Sequence, residues 1–234
     1  MLDLMDESLA RLVGDLADAD SLTATIEQIV AFAQTTLGAE HAGVTMILPR
    51  KAGLETLGQT DQLVWERDTL QHELHEGPCV DTAVEGRALR SGDLGCEERW
   101  PRWGPAAAAA GLHSILSIEL HARGKRMGAL NLYGDHLKQF DEEDAALARM
   151  FAFHAGSALA VIRNEEGLRQ ALDTRSEIGQ AQGILMERFG IDATQSFNVL
   201  RRDSQDSQVK VVDVARALIA RRDLPLGRES QRHV

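Results

Sequence analysis

The feature that most constrains the fold is a stretch of 49 residues without proline, from Asp141 to Phe189. It opens with FDEEDAALARM, where Asp141 is a predicted N-cap and further acidic side chains follow in the first turn, which a helix favours. A continuous helix of this span would be about 70 Å long at 1.5 Å per residue. Four glycines weaken it, so its own propensity is not enough to stabilise it: Gly156, Gly167, Gly179 and Gly183. The pattern predicts a long helix that is stabilised by packing.

A 4-3 repeat within this stretch indicates an imperfect coiled coil. Six of its ten positions are apolar, and the positions are Leu147, Phe151, His154, Ala158, Val161, Glu165, Leu168, Leu172, Arg175 and Gly179. The first half, up to about Ile162, has an alternative explanation, since it could simply pack on a sheet. Beyond that point only Leu168, Ala171 and Leu172 offer apolar surface, which favours pairing with the same helix of a second chain. We therefore expect a homodimer through the long helix.

Strand patterns precede the long helix. AGVTMIL from Ala42, ended by Pro49, predicts a strand, and GLETLGQT from Gly53 predicts a weaker partner. The segment HSILSIELHARGKRMGALNLYG predicts an antiparallel hairpin with its turn at residues 123–125. Residues 2–37 have the apolar spacing of two helices, and loops and short helices are expected between the strands and Gly111. The fold class is α+β: an antiparallel sheet flanked by helices, a long connecting helix and a C-terminal three-helix bundle.

Three amphipathic segments make up that bundle. The first carries the apolar stripe Ile178, Ala181, Leu185, Met186 and Phe189 and is stopped by Gly190. In the second, Asp192 is a predicted N-cap and the apolar face is Ala193, Phe197 and Leu200. A polar break, DSQDSQ, precedes the third stripe, which is Val211, Val214, Ala215, Leu218 and Ile219. Since three short helices bury only a small core, dimerisation through the preceding helix would add stability.

The charge is distributed unevenly. The net charge of the chain is −11. From Arg175 onward the sequence contains ten Arg and Lys and eight Asp and Glu, so the acidic excess lies before Arg175. Such an asymmetry suggests different partners for the two parts. No apolar run reaches the ~20 residues of a membrane span, and the acidic start MLDLMDESLA does not resemble a signal peptide. We expect a cytoplasmic protein without a membrane partner.

Two segments resemble known families. SEIGQAQGILMERFGIDATQSFNVLRRDSQDSQVKVVDVARALI resembles the ANTAR family, the three-helix RNA-binding domain of transcription antitermination regulators. HEGPCVDTAVEGRALRSGDL, RWPRWGPAAAAAGLHSILSIEL and GALNLYG look like a GAF sensor domain of the kind that precedes ANTAR in actinobacterial proteins. The expected organisation is an N-terminal helix over 1–20, a GAF domain over 21–163, a helical coiled-coil linker over 164–174, an ANTAR domain over 175–222 and a tail over 223–234.

The resemblance implies a function and a set of site residues. The expected ligand is a stem-loop in nascent RNA, bound so that a terminator hairpin cannot form. Ala181, Phe197 and Ala215 match the inward-facing signature positions, whereas Gln182, Gln208 and Val212 depart from the family pattern and remove two positive charges. Phosphates require cations and unstacked bases require planar amides or guanidinium groups. The RNA-binding candidates are Gln180, Arg188, Arg201, Arg202, Gln208, Lys210 and Arg216.

Each of these candidates has a plainer explanation as part of a solvated helix face. Arg202 with Asp206, and Arg216 with Asp213, have the spacing of intrahelical ion pairs. Phe189 and Phe197 are both assigned to the core, so base stacking would fall to guanidinium groups. A DNA-binding regulator and a module that binds a protein partner stay open as alternatives, although the polar break, taken as seven residues, is longer than the turn of a helix-turn-helix.

The GAF-like part is expected to offer a cup for an unidentified small ligand, or for none. Acidic residues near the cup would disfavour an anionic nucleotide, and they are Asp61, Glu66, Asp68, Glu73 and Glu76. The histidines lack metal-ligand spacing, and Cys79 and Cys96 are read as inert thiols. No hydrolase, metalloprotease or P-loop motif occurs, so we expect no catalytic residues, no metal and no cofactor.

Overall fold

The computed structural model describes Gly14 and residues 21–48 and 53–221. The chain divides into two compact units, Met1–Asn164 and Glu165–Val234, here called the N-terminal unit and the C-terminal unit. Apart from Gly14, the predicted helix over 1–20 lies outside the described residues, and so does the predicted tail over 223–234.

The N-terminal unit combines one sheet with helices, and the α+β prediction is confirmed. Its elements are α1 (Leu22–Leu37), β1 (His41–Leu48), β2 (Gly53–Gln59), α2 (Gln62–Leu74), α3 (Pro78–Glu85), β3 (Leu89–Ser91), a 3-10 turn (Leu94–Cys96), α4 (Trp103–Ala109), β4 (Ser114–Ala122) and β5 (Lys125–Gly134). The five strands are antiparallel, in the order β2-β1-β5-β4-β3. The chain continues with α5 (Glu142–Phe189), α6 (Ala193–Ser207) and α7 (Val211–Arg221).

The predicted hairpin is confirmed as β4 and β5. Leu116 pairs with Leu132 and Ile118 pairs with Leu130 across the two strands. The two turn residues, Arg123 and Gly124, both have positive φ angles, 50° and 71°. A two-residue turn of this kind matches the right-handed twist of the strands, which sets the hairpin register.

One face of the sheet packs against α1 and α5. Leu116, Ile118, Leu130 and Leu132 contribute to this core together with residues of both helices. Phe32 of α1 stacks on Phe151 of α5 with ring centroids 4.5 Å apart. The first half of α5 therefore belongs to the core of the N-terminal unit as far as Ile162, as the simpler interpretation of the 4-3 repeat predicts.

The opposite face of the sheet is covered by α2, α3 and α4. Its apolar cluster includes Val64, Trp100, Trp103, Ile115 and Tyr133. The indole N–H of Trp100 donates to Asp81 Oδ2 at 2.7 Å, and that of Trp103 donates to the Arg67 carbonyl at 2.9 Å. Both large rings are fully buried with their polar atom satisfied, so they fill this layer without cost in unpaired hydrogen bonds.

The sequence pattern predicted loops and short helices in this region without locating helix α2. It is 13 residues long, and its buried residues are Val64, Asp68 and Gln71. Two of the three are polar, so the helix has almost no apolar periodicity to detect. Asp61 caps it, accepting a hydrogen bond from the Val64 N–H at 3.2 Å.

Helix α5 begins as the sequence predicts. Asp141 Oδ1 accepts hydrogen bonds from the N–H groups of Glu143 and Asp144, and Asp144 Oδ2 accepts from the Asp141 N–H. By length and composition an 18-residue window of α5, of mean hydropathy 1.5, could cross a bilayer, but half of that window is buried inside the protein. That burial is what a core helix shows.

The C-terminal unit has a small apolar core of its own. Ala181 and Leu185 of α5, Leu200 of α6, and Ala215 and Leu218 of α7 are buried together. Gly190, with φ +62°, ends α5, and a capping box of Asp192 and Gln195 starts α6. These two boundaries are as predicted.

The expected polar break is wrong. The residues DSQDS continue α6 to Ser207, and the turn to α7 spans only residues 208–210. Ser204 Oγ and Ser207 Oγ donate to main-chain carbonyls of the same region, and Gln208 adopts a left-handed conformation that ends the helix. A polar segment without apolar residues can thus still form the last turn of a helix whose earlier turns are held by buried residues.

The glycines of α5 differ in their surroundings, and this yields a prediction. A Cβ on Gly156 would lie 2.4 Å from the His121 carbonyl oxygen, whereas a Cβ on Gly183 meets nothing within 4 Å. Gly156→Ala should therefore lower the free energy of unfolding by about 1–3 kcal/mol through overpacking. Gly183→Ala should raise helix stability by up to about 1 kcal/mol.

Tryptophan fluorescence measures the effect of Gly156→Ala, because all three tryptophans lie in the N-terminal unit. Far-UV circular dichroism measures the effect of Gly183→Ala. Stabilisation by both substitutions would contradict the close approach at Gly156.

Candidate functional site

The C-terminal unit confirms the two alanines as inward-facing and corrects the aromatic. Ala181 and Ala215 are fully buried, but Phe197 is 39% exposed. On α6 the inward positions are Ser196 and Leu200, both fully buried. Ser196 Oγ donates to the Ala193 carbonyl at 2.9 Å, so its hydroxyl is satisfied inside the helix. The assignment of Phe197 and Ala193 to the inner face was wrong because a small hydroxyl residue, satisfied locally, occupies that side of the helix.

The stripe assigned to the end of α5 also needs correction. Ala181 and Leu185 are fully buried, whereas Met186 is 38% and Phe189 is 43% exposed. Phe189 is the last residue of α5, directly before the left-handed Gly190. The last apolar residues of α5 thus lie beyond the buried core of the C-terminal unit, and the Phe189 ring is partly exposed to solvent.

Gln182 stands at one of the positions that depart from the family pattern, and it joins two helices. Its Nε2 donates to the Ala193 carbonyl at 2.8 Å and lies 3.4 Å from Ser196 Oγ. This side chain therefore ties α5 to the first turn of α6.

The RNA-binding candidates fall into different environments. Arg201 and Lys210 are exposed and have no ion pair among the described residues. Arg188 is exposed in the last turn of α5, and Gln208 is exposed as the C-cap of α6. Gln180 donates to Ser176 Oγ at 3.4 Å, and Arg202 lies 3.8 Å from Asp206 with both side chains exposed. Arg201 and Lys210 are thus the candidates best placed to meet a phosphate.

Arg216 is held by two carboxylates. Its Nε donates to both oxygens of Glu177, at 3.0 and 2.9 Å, and one Nη donates to Asp213 at 3.2 Å. The Glu177 hydrogen bond raises the pKa of Arg216 further, with a smaller contribution from Asp213. The guanidinium therefore connects α5 to α7, and RNA would have to compete with both acids for it.

The C-terminal unit carries almost no net charge. Residues 165–221 contain eight Arg and Lys and nine Asp and Glu. Two of the cations, Arg202 and Arg216, are already paired with acids. Any nucleic acid bound here would gain little from general attraction to phosphate.

The N-terminal unit contains a buried carboxylate, Asp68, between α2 and the sheet. Its Oδ1 accepts hydrogen bonds from Gln71 Nε2 at 3.1 Å, from Asn131 Nδ2 at 3.2 Å and from the Tyr133 hydroxyl. Its Oδ2 accepts from Thr56 Oγ1 at 3.3 Å and Thr45 Oγ1 at 3.5 Å. Asp68 therefore links α2 to β1, β2 and β5 through neutral donors, and we call these six residues the Asp68 network.

Burial raises the pKa of Asp68 to about 6, against the opposing effect of these hydrogen bonds. Burial and the neighbouring Asp68 charge also raise the pKa of Tyr133. Cys79 lies beside the network, and its N–H donates to Gln71 Oε1 at 2.7 Å. Burial and Asp68 raise the pKa of the Cys79 thiol to about 12, so it stays protonated at neutral pH and is a poor nucleophile.

The other acids expected near a cup have structural contacts. Glu76 Oε1 accepts from the Arg102 and Trp103 N–H groups at 2.6 and 2.8 Å, which caps α4. Asp61 Oδ2 lies 2.6 Å from His41 Nδ1, and Asp135 Oδ1 lies 3.1 Å from His41 Nε2. Burial acts to lower the pKa of His41, but Asp61 and Asp135 raise it overall. Asp68 is thus buried, and Asp61 and Glu76 are half-buried and occupied by contacts within the protein.

Two regions of the described part of the N-terminal unit are relevant to binding of a small ligand. The layer between the sheet and α2, α3 and α4, where a cup was expected, is filled by Trp100, Trp103, Tyr133 and the Asp68 network. A shallow groove of about 320 Å³ lies instead between α1 and β2. Its lining is Thr23, Glu27, Val30, Ala31, Gln34, Leu57, Gly58 and Gln59. Among the described residues, no group of three or more His, Cys, Asp or Glu is arranged to hold a metal ion.

Comparison with known proteins identifies both units. A family model described as GAF domain matches residues 19–160, more than half of the chain, and one described as ANTAR domain matches residues 166–219. No curated protein matches the chain. A GAF domain from a phosphoenolpyruvate-protein phosphotransferase of Coxiella burnetii is 15% identical with a TM-score of 0.58, covering 70% of this chain and 96% of that one.

Two further solved structures share the fold. A free methionine-R-sulfoxide reductase from Neisseria meningitidis, in complex with its substrate, is 19% identical with a TM-score of 0.56, covering 70% of this chain and 92% of that one. The bacteriophytochrome RpBphP3 from R. palustris is 11% identical with a TM-score of 0.58, covering 85% of this chain and 46% of that one. At these identities the likeness concerns the fold alone.

The buried Asp68 leads to a pH prediction. The folded state holds the Asp68 proton up to its pKa of about 6, whereas the unfolded chain releases it near the ordinary pKa of 3.8. Raising the pH through this window therefore destabilises the folded state, by about 3 kcal/mol in total. Asp68→Asn removes this effect, so the stability of the variant relative to the wild type should rise by that amount between about pH 4 and pH 7. Urea unfolding followed by tryptophan fluorescence at a series of pH values measures it, with the exposed Glu98→Gln as control. A stability difference that is constant with pH would contradict the prediction.

Proposed function

Since the chain belongs to the GAF domain family and carries an ANTAR domain behind its GAF domain, we propose that it is an RNA-binding transcription antitermination regulator. In this proposal the ANTAR domain binds a stem-loop in nascent RNA. The RNA strand held in that stem-loop cannot also pair into a terminator hairpin, so transcription continues. The GAF domain controls the binding.

The observation that carries the proposal is the arrangement of the C-terminal unit. Its three helices enclose a complete apolar core, and the cations Arg201 and Lys210 stand exposed outside it without ion pairs among the described residues. Arginine and lysine meet RNA phosphates, while Gln180, Arg188 and Gln208 offer planar groups for loop bases. Arg202 and Arg216 contribute to RNA binding only where RNA displaces their carboxylate partners.

Duplex DNA is the second candidate ligand. The three-residue turn between α6 and α7 falls within the range of a helix-turn-helix, so turn length no longer argues against it. The second helix of such a motif lies in the major groove and needs cations and amides facing the DNA. On α7 the described exposed cation is Arg216, and Glu177 and Asp213 hold it. RNA is therefore the better candidate, and a binding module for a protein partner is the remaining alternative.

The GAF domain is proposed to be regulatory and not catalytic. The buried Cys79 is kept as a thiol, and GAF and ANTAR domains are regulatory modules. No cofactor is assigned. A small molecule at the GAF domain is the proposed input, and the groove between α1 and β2 is a candidate place for it. We place the protein in the cytoplasm, where nascent transcripts occur, without a membrane partner.

The proposal includes a homodimer through the long helix. In the expected linker, residues 164–174, Leu168 is 63% and Leu172 is 59% exposed, one helical turn apart. Two leucines in this arrangement form a narrow apolar seam that a second copy of the helix would bury. We retain residues 175–222 as the RNA-binding portion, although the ANTAR match already begins at residue 166.

RNA binding is tested by substituting the unpaired cations. Arg201→Gln and Lys210→Gln should each weaken hairpin binding severalfold, and each should reduce the slope of log affinity against log salt by about 0.7 if its phosphate contact is to a single strand. Melting temperatures should stay unchanged, since both side chains are exposed. Arg123→Gln in the hairpin of the GAF domain is the matched control. Gel-shift titrations compare hairpin RNA, unstructured RNA and duplex DNA, and equal affinity for all three would reject the proposal.

The dimer is tested by charge repulsion. Leu168→Glu combined with Leu172→Glu should yield a monomer, because the two carboxylates would face their copies across the seam. Gln170→Glu, about 200° around the helix from Leu168, is the control and should leave the dimer intact. Light scattering after size-exclusion chromatography gives the mass. A wild-type monomer, or a dimer that survives the double substitution, would exclude this interface.

A further inference from the structure

The C-terminal unit exposes both of its aromatic rings. Phe189 and Phe197 are the only Phe, Tyr or Trp residues between positions 165 and 221, and they are 43% and 39% exposed. The core beside them is closed by Ala181, Leu185 and Leu200, each fully buried. The rings are therefore not needed to complete the core, and a leucine would serve equally well for partial packing.

Each ring lies within about two helical turns of one contact between helices. Gln182 of α5 donates to the Ala193 carbonyl of α6, which fixes where the two helices meet. Phe189 follows Gln182 by seven residues, almost two full turns, so it lies on the same side of α5. Phe197 follows Ala193 by about one turn on α6. Both rings thus belong to the neighbourhood of the α5–α6 contact.

Exposed cations accompany each ring. Arg188 directly precedes Phe189, and Arg201 follows Phe197 by four residues, about one turn on the same side of α6. An aromatic ring and a cation on one side of a helix, as with Phe197 and Arg201, suit a nucleotide, because the base can stack on the ring while the cation meets the phosphate.

The charge of the unit favours the same conclusion. With eight cations against nine acids over residues 165–221, and with Arg202 and Arg216 paired, phosphate neutralisation can supply only a small part of the affinity for RNA. Stacking of bases on aromatic rings does not depend on net charge and contributes substantially for each base. Unpaired loop bases offer such faces, whereas the bases of a duplex are already stacked.

We propose that Phe189 and Phe197 stack on unpaired bases of the RNA loop, and that these contacts supply the part of the affinity that does not depend on salt. The inference rests on the RNA-binding function proposed above and deepens it. It adds two aromatic contacts to the candidate surface, beside the planar groups of Gln180, Arg188 and Gln208.

The test uses the full-length protein and a hairpin RNA. The wild-type protein first selects its tightest ligand from a pool of hairpins with a constant stem and a randomised loop. That hairpin is then titrated with Phe189→Leu, Phe197→Leu, Phe189→Tyr and Phe197→Tyr. Each leucine variant should lose about tenfold in affinity, and each tyrosine variant should stay within about twofold of the wild type, because only the aromatic face is required. The slope of log affinity against log salt should be unchanged in all four.

A second measurement changes the RNA and compares the wild type with the leucine variants. The loop bases of the selected hairpin are replaced one at a time by abasic sites. Replacement of a stacked base should cost the wild type about tenfold, and the matching leucine variant should lose nothing further from it.

Three outcomes are distinguishable. If the wild type selects no hairpin, the RNA-binding function fails and the stacking inference fails with it. If the wild type binds a hairpin and the leucine variants bind it equally well, the stacking inference alone is overturned. If the leucine variants lose affinity together with the dimer, as judged by light scattering, the rings contact a second copy of the chain and the inference is likewise overturned.

Discussion

The packing demand on α5 determines the rest of the structure, since one helix contributes to two hydrophobic cores. Ala148, Phe151 and Leu159 bury its first half against the sheet, and Ala181 and Leu185 bury part of its last three turns among α6 and α7. The first half is held closely enough that Gly156 has no room for a side chain against β4. Between the two cores the helix has only exposed leucines to bury. Burial of these leucines by a second copy of the helix is the reason for the proposed dimer.

The Asp68 network gives the GAF domain an interior of a different kind. In its outer layer a carboxylate is surrounded by neutral donors from α2, β1, β2 and β5. A buried carboxylate costs free energy when it is ionised, whereas its hydrogen bonds fix the strands and the helix in one arrangement. With Trp100 and Trp103 in the same layer, the space where a small ligand was expected is occupied by the domain itself. A signal that acts on this layer would have to rearrange these bonds.

Apolar periodicity was a good guide wherever apolar residues decide the structure. It predicted the β4–β5 hairpin, the extent of the first half of α5 and the inner face of α7. It failed at α2, whose buried face is mainly Asp68 and Gln71, and at Phe197, whose place inside is taken by Ser196. In both cases a polar side chain is buried because a specific hydrogen bond satisfies it, and a single sequence does not show such partners. The RNA-facing candidates were chosen as polar residues outside the stripes, and which of them are occupied by acids, as Arg216 is, depends on tertiary contacts.

The low net charge of the C-terminal unit also has a kinetic consequence. A protein whose cations are mostly balanced by its own acids does not draw an anionic polymer from a distance, so encounter would proceed at an ordinary diffusional rate. The protein would then discriminate between transcripts mainly by the dissociation rate of its complex with each RNA. In the proposed antitermination role, the lifetime of the complex on the correct RNA loop would matter more than the rate at which that loop is found.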